Sequence, residues 1–159
     1  YYSFRAEANY SGFDLRILFQ GMSGREVNIA NSKTIAFQNN GTVYEIAKGR
    51  WAYYPDQGID TRASATYPRL STQMNENNYT SSTFWIKNGN FLRVRNMEIG
   101  YTLPKRFLQK LNLSNFRFFV NGVNLFTFSS LLKEYDLDPE VMMGYPAMKS
   151  YNAGITVGL

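Results

Sequence analysis

Apolar and polar residues alternate one for one along much of this chain, the period of a β-strand with two unlike faces. Phe4, Ala6, Ala8 and Tyr10 share one face, and Ser3, Arg5, Glu7 and Asn9 share the other. Ser11-Gly12 reads as a tight turn, after which Phe13, Leu15, Ile17 and Phe19 oppose Asp14, Arg16 and Gln20. Alternation returns in Phe91–Leu103, where Met97, Ile99, Tyr101 and Leu103 oppose Asn96, Glu98, Gly100 and Thr102, and Pro104 stops it. It resumes with Phe116, Phe118 and Val120, and ends with Tyr151, Ala153, Ile155, Val157 and Leu159 on one face. Strands are therefore expected near 3–10, 13–20, 91–103, 116–128 and 149–159.

The connections differ greatly in length. Ser11-Gly12 is short, 21–90 very long, 104–115 moderate and 129–148 long. Both long stretches are expected to be irregular, and loops of such length usually carry function or are disordered. The rings of Trp51, Tyr53, Tyr54 and Trp85 argue against disorder in the first. In 104–115, the spacing of Phe107, Leu108 and Leu111 predicts one or two helical turns.

Composition removes whole classes of chemistry. With no cysteine and no histidine, thiol nucleophiles, thiolate metal sites and the commonest general base are absent from these 159 residues. Twelve acids are a thin supply for carboxylate catalysis, so the chain is not expected to be an enzyme, and no cofactor is expected. The net charge of +5 comes from scattered Lys and Arg, with no run longer than Lys105-Arg106, so no nucleic-acid partner is expected. No apolar run reaches the roughly 20 residues of a transmembrane helix. The chain opens at Tyr1 without an initiator Met, as expected of a processed product or a piece of something longer.

Two environments produce such strands: a soluble β-sandwich with its apolar face inward, or a transmembrane barrel with that face toward lipid. Alternation of short and long connections favours the barrel, because all short turns then leave one side of a membrane and all long loops the other. The polar face (Arg5, Glu7, Asp14, Arg16, Glu98, Arg117 and Asn121) suits a hydrated lumen, yet it equally suits the solvent side of a sandwich. The fold expected is all-β: about five C-terminal strands of a large transmembrane antiparallel β-barrel, with long extracellular loops at 21–90 and 129–148 and a periplasmic turn at 104–115. Five strands leave open edges, so the remaining wall is expected from elsewhere.

The stretch Phe91-Leu92-Arg93-Val94-Arg95-Asn96-Met97-Glu98-Ile99-Gly100-Tyr101-Thr102-Leu103-Pro104 resembles a segment typical of SusC/RagA TonB-linked outer-membrane transporters. Val120-Asn121-Gly122-Val123-Asn124-Leu125-Phe126-Thr127, Gly12-Phe13-Asp14-Leu15 with Phe19-Gln20-Gly21, and Tyr67-Pro68-Arg69-Leu70 are similar to further motifs of that family, in the right order. Tyr135–Val141 is similar to another, with Asp136-Leu137 as an insertion, and Leu159 stands where the family usually ends in an aromatic. The resemblance covers nearly the whole chain. It implies that 1–159 is the C-terminal part of a plugged barrel of about 22 strands, in the bacterial outer membrane. It implies TonB-driven import of oligosaccharides or peptides, a SusD-like surface lipoprotein as partner, and the TonB system acting through upstream sequence. The alternative is a soluble β-sandwich module that binds glycans.

Three groups of residues are candidates for function. Trp51, Tyr53, Tyr54, Arg69, Asn78 and Trp85 lie in the long loop, where rings stack on sugars or anchor a partner protein. Asn152, Gly154, Val157 and Leu159 resemble the terminal signal read by the barrel-assembly machinery, for which strand addition is the plausible mechanism. Asp136, Asp138 and Glu140 have a spacing that could collect a cation or serve hydrolysis, but they lack a full loop signature and suit a solvated turn before Pro139 better.

Overall fold

The computed structural model describes residues 1–30, 34–37 and 40–159, so a small part of the expected 21–90 loop lies outside the described residues. In chain order its strands are β1 (Tyr2–Tyr10), β2 (Phe13–Met22), β3 (Glu26–Asn28), β4 (Tyr53–Tyr54), β5 (Ile59–Asp60), β6 (Ile86–Asn88), β7 (Phe91–Thr102), β8 (Asn115–Phe128) and β9 (Ser150–Gly158). Among the described residues three short α-helices accompany them, α1 (Glu76–Tyr79), α2 (Lys105–Lys110) and α3 (Ser130–Tyr135). None is long and apolar enough to cross a membrane. The chain divides into a sheet unit (1–23, 90–129 and 147–159) and a loop unit (24–89 and 130–146).

In the sheet unit the five long strands form one antiparallel sheet in the order β1-β2-β7-β8-β9. Each has at least the roughly nine residues a tilted strand needs to cross a bilayer. Ser11 and Gly12 both adopt positive φ (48° and 88°), the two-residue turn that matches strand twist, and Tyr10 pairs with Phe13 across it.

Register turns five separate alternations into two continuous faces, since directly opposed residues share a side of the sheet. Tyr10, Phe13, Tyr101, Phe118 and Ile155 form one apolar row, and Ala8, Leu15, Ile99, Val120 and Ala153 the next. On the other face Glu7, Arg16, Glu98, Asn121 and Asn152 form a polar row. The apolar face is open: Phe4 is 63% exposed, Phe13 54%, Ile99 46%, Phe118 47% and Ile155 60%. A sandwich would bury these side chains beneath a second sheet, so the sandwich alternative is not favoured.

The register shifts between Val94 and Asn96, where Arg95 bulges out of β7 and donates to Gln20 Oε1 (2.8 Å) and Asn124 Oδ1 (3.0 Å). Across the bulge the even-numbered residues of β7 change face, Val94 opposing Phe19 and Phe126 while Asn96 opposes Leu18 and Val123.

The loop unit corrects the expectation of irregular structure. Val27, Ile29, Ala47, Tyr67, Trp85, Leu131 and Leu137 form a buried core, contributed by both long stretches. β3 pairs with β6 and β4 with β5. The inserted Asp136-Leu137 has a clear local role: Asp136 takes a positive φ of 53° at the end of α3, and the Leu137 N–H returns to the Leu131 carbonyl (3.2 Å), with both leucines in the core.

Candidate functional site

On the polar face of the sheet unit, Arg117 reaches across β7. Its Nε donates to Asp14 Oδ2 (2.9 Å), and Nη2 donates to Asp14 Oδ1 (2.5 Å) and Glu98 Oε1 (2.7 Å). Arg16 lies 3.8 Å from the same Glu98 oxygen. The network is mutually satisfied, and its geometry ties three strands together rather than leaving a free acid or base for chemistry. Beside it a hollow of about 580 Å³ is lined by Arg5, Glu7, Arg16, Glu98 and Asn121, among others.

Two residues of the terminal group sit on this same face. Asn152 Nδ2 donates to Asn121 Oδ1 (2.9 Å). Gly154 lies opposite Phe119, whose ring fills the place of the missing side chain: a Cβ there would stand 2.5 Å from the ring. Val157 pairs with Phe116 on the apolar face, and Leu159 follows β9 fully exposed. The sequence pattern of this group thus follows from the two faces of β9 and from one ring.

In the loop unit a groove of about 550 Å³ is lined by Trp51, Arg62, Arg69, Asn78, Ser82 and Phe84, with neighbours. Its size falls in the range of small-ligand sites. Backbone pairing builds one wall: the Trp51 N–H donates to the Tyr67 carbonyl (2.8 Å), which sets Trp51 beside the Tyr67–Arg69 segment. Tyr67 is itself pinned, its hydroxyl donating to the Thr34 carbonyl (2.5 Å) and accepting from the Ala36 N–H (3.2 Å). Burial raises the Tyr67 phenol well above the ordinary tyrosine range, so it stays a neutral donor.

Trp85 is in the core, only 1% exposed, and so presents no ring face to a ligand. Its role is to hold others: Nε1 donates to the Asn78 carbonyl (2.9 Å), and its ring meets Tyr67, Tyr79 and Phe84 at 6.0, 5.7 and 4.8 Å. Tyr53 and Tyr54 are exposed on the β4–β5 hairpin and do not line the groove. The Arg62 guanidinium stacks 3.8 Å over the Tyr53 ring and is fixed by a two-point bond to Asp60 (2.9 and 2.8 Å). Those bonds hold the Asp60 carboxyl below its usual range.

Of the six loop residues singled out from sequence, the groove therefore gathers Trp51, Arg69 and Asn78. Sequence reasoning missed Arg62, Ser82 and Phe84. Only Phe84 carried a signal, as a second ring next to Trp85.

Asp136, Asp138 and Glu140 are not brought together as a ligand set among the described residues. Asp138 Oδ1 instead accepts from the Glu140 N–H (2.8 Å) and the Val141 N–H (3.3 Å), closing the turn, while the Pro139 carbonyl accepts from Arg25 (2.5 Å).

No protein-family model matches the sequence. TonB-dependent receptor P3 of Formosa agariphila is 29% identical over 126 residues, 79% of this chain and 11% of that protein. Among solved structures, the RagAB peptide importer in its open-open state superimposes with a TM-score of 0.67 at 23% identity, over 99% of this chain and 17% of that one. The closed-closed state gives 0.68 at 22% identity and the same coverage. The chain thus spans a small part of the proteins it resembles. In sequence the chain is similar to a TonB-dependent receptor, and in fold to part of the RagAB peptide importer.

Proposed function

We propose that this chain supplies part of the wall and outer loops of a TonB-dependent importer of peptides or oligosaccharides in the bacterial outer membrane. The carrying observation is the two-faced sheet, apolar and exposed on one side and charged and networked on the other. Such a sheet suits lipid outside and a hydrated, plugged lumen inside. Long loops then stand on the extracellular side and the α2 turn in the periplasm. In the loop unit, Trp51, Arg69 and Asn78 contact substrate, while Tyr53 and Tyr54 face outward toward a SusD-like lipoprotein. TonB acts through sequence upstream of this stretch, and Asn152, Gly154, Val157 and Leu159 in and after β9 form a signal read by the barrel-assembly machinery. Likeness to a TonB-dependent receptor and to a peptide importer supports this function.

The test is the polypeptide in its native membrane, extracted in detergent and run with and without heating. A species several times the 18.3 kDa of this chain, whose migration shifts on heating, is expected of a closed barrel. A detergent-independent species of 18.3 kDa would contradict it.

A further inference from the structure

The groove of the loop unit has a charge pattern that narrows its ligand. Its lining includes two guanidinium groups and no carboxylate. Arg62 is neutralised by Asp60 and stacked on Tyr53, so it serves as a fixed wall. Arg69 is different: it is exposed, and among the described residues no acid pairs with it. It stands in a cleft that also offers the partly exposed rings of Trp51 and Phe84 and the side chains of Asn77, Asn78 and Ser82.

An unpaired guanidinium beside flat apolar faces is complementary to a carboxylate carried on a ring or apolar stem, because the planar fork binds both carboxylate oxygens while the rings cover the adjoining surface. The chain's net charge of +5 adds a field of the same sign. We infer that this groove is a subsite for a carboxylate-bearing ligand, with Arg69 as its anion contact and Trp51 and Phe84 as its stacking walls. The inference rests on the proposed substrate contact in the loop unit and gives it a chemical class. Acidic peptides and uronate-containing oligosaccharides both present that chemistry.

The experiment uses the full-length transporter in detergent and two matched probe pairs: a Glu-rich oligopeptide against its Gln counterpart, and an oligogalacturonate against its methyl ester. Calorimetry is expected to show an acidic probe binding about tenfold more tightly than its neutral partner, and the pair showing that preference identifies the source of the carboxylate. Arg69→Gln should abolish the preference by weakening the acidic probe about tenfold. Unchanged heat-dependent migration of the variant checks that its fold is kept. Trp51→Ala should weaken both members of the preferred pair alike. Equal affinity for acidic and neutral probes, or a preference that survives Arg69→Gln, overturns the carboxylate subsite. Uptake of neutral probes by cells carrying the transporter would still uphold import in that case, whereas a transporter that binds no probe in detergent and takes up none in cells overturns both proposals.

Discussion

Arg117 occupies the space that a side chain at Gly100 would need. A Cβ at Gly100 would run into the guanidinium that bonds Asp14 and Glu98, so the glycine in β7 is what lets a charge on β8 reach an acid on β2. Gly100→Ala is expected to destabilise the sheet by about 1–3 kcal/mol through overpacking. The midpoint of heat-dependent gel migration measures it. In an Arg117→Ala background the added cost should vanish, and a cost that persists there would show that Gly100 serves the backbone instead.

Gly154 poses a similar question at the chain's last strand, where the Phe119 ring covers it. Gly154→Ala should slow barrel assembly in cells, and Phe119→Ala should relieve that defect if packing is the reason for the glycine. A defect of Gly154→Ala that Phe119→Ala leaves unchanged would assign the glycine to recognition by the assembly machinery.

Trp85 should behave as the keystone of the loop unit rather than as a ligand contact. Trp85→Ala is expected to cost about 3–5 kcal/mol locally, seen as rapid proteolysis within 24–89 with barrel migration unchanged. Trp85→Phe keeps the ring but loses the bond to the Asn78 carbonyl, at about 1 kcal/mol.

Tyr67 gives the loop unit a pH limit. Its folded phenol titrates above the unfolded value of about 10, chiefly through burial. Its contribution is therefore complete below that pH and is lost as pH rises toward the folded value. Protease resistance of the loop unit should fall in strong alkali, and Tyr67→Phe should remove this tyrosine's share of the alkaline loss while lowering resistance at neutral pH.

The sheet was legible because its signal is periodic. Phe13 and Ile99 alternate with charged or small neighbours, Phe118 follows Arg117, and nothing but register was needed to join them. The bulge at Arg95 was not legible, since its cause is pairing with Gln20 and Asn124, residues distant in sequence. The loop unit was legible only in its aromatic content. Leu131 and Leu137 join a core with Val27 and Ile29 across more than a hundred residues, and no local period announces such a contact. For the same reason Trp51 and Trp85 looked alike as sequence, yet one lines a groove and the other is sealed beneath it.

The most direct test of the account is the environment of alternate residues along β8. These 159 residues contain no cysteine, so Phe118→Cys, Phe119→Cys, Val120→Cys and Asn121→Cys each carry a unique spin label within them. In the full-length protein in lipid, labels at Phe118 and Val120 should be relaxed by oxygen from the bilayer. Labels at Phe119 and Asn121 should instead be relaxed by a water-soluble nickel complex. Uniform access to the nickel complex at all four positions would contradict a membrane-spanning wall.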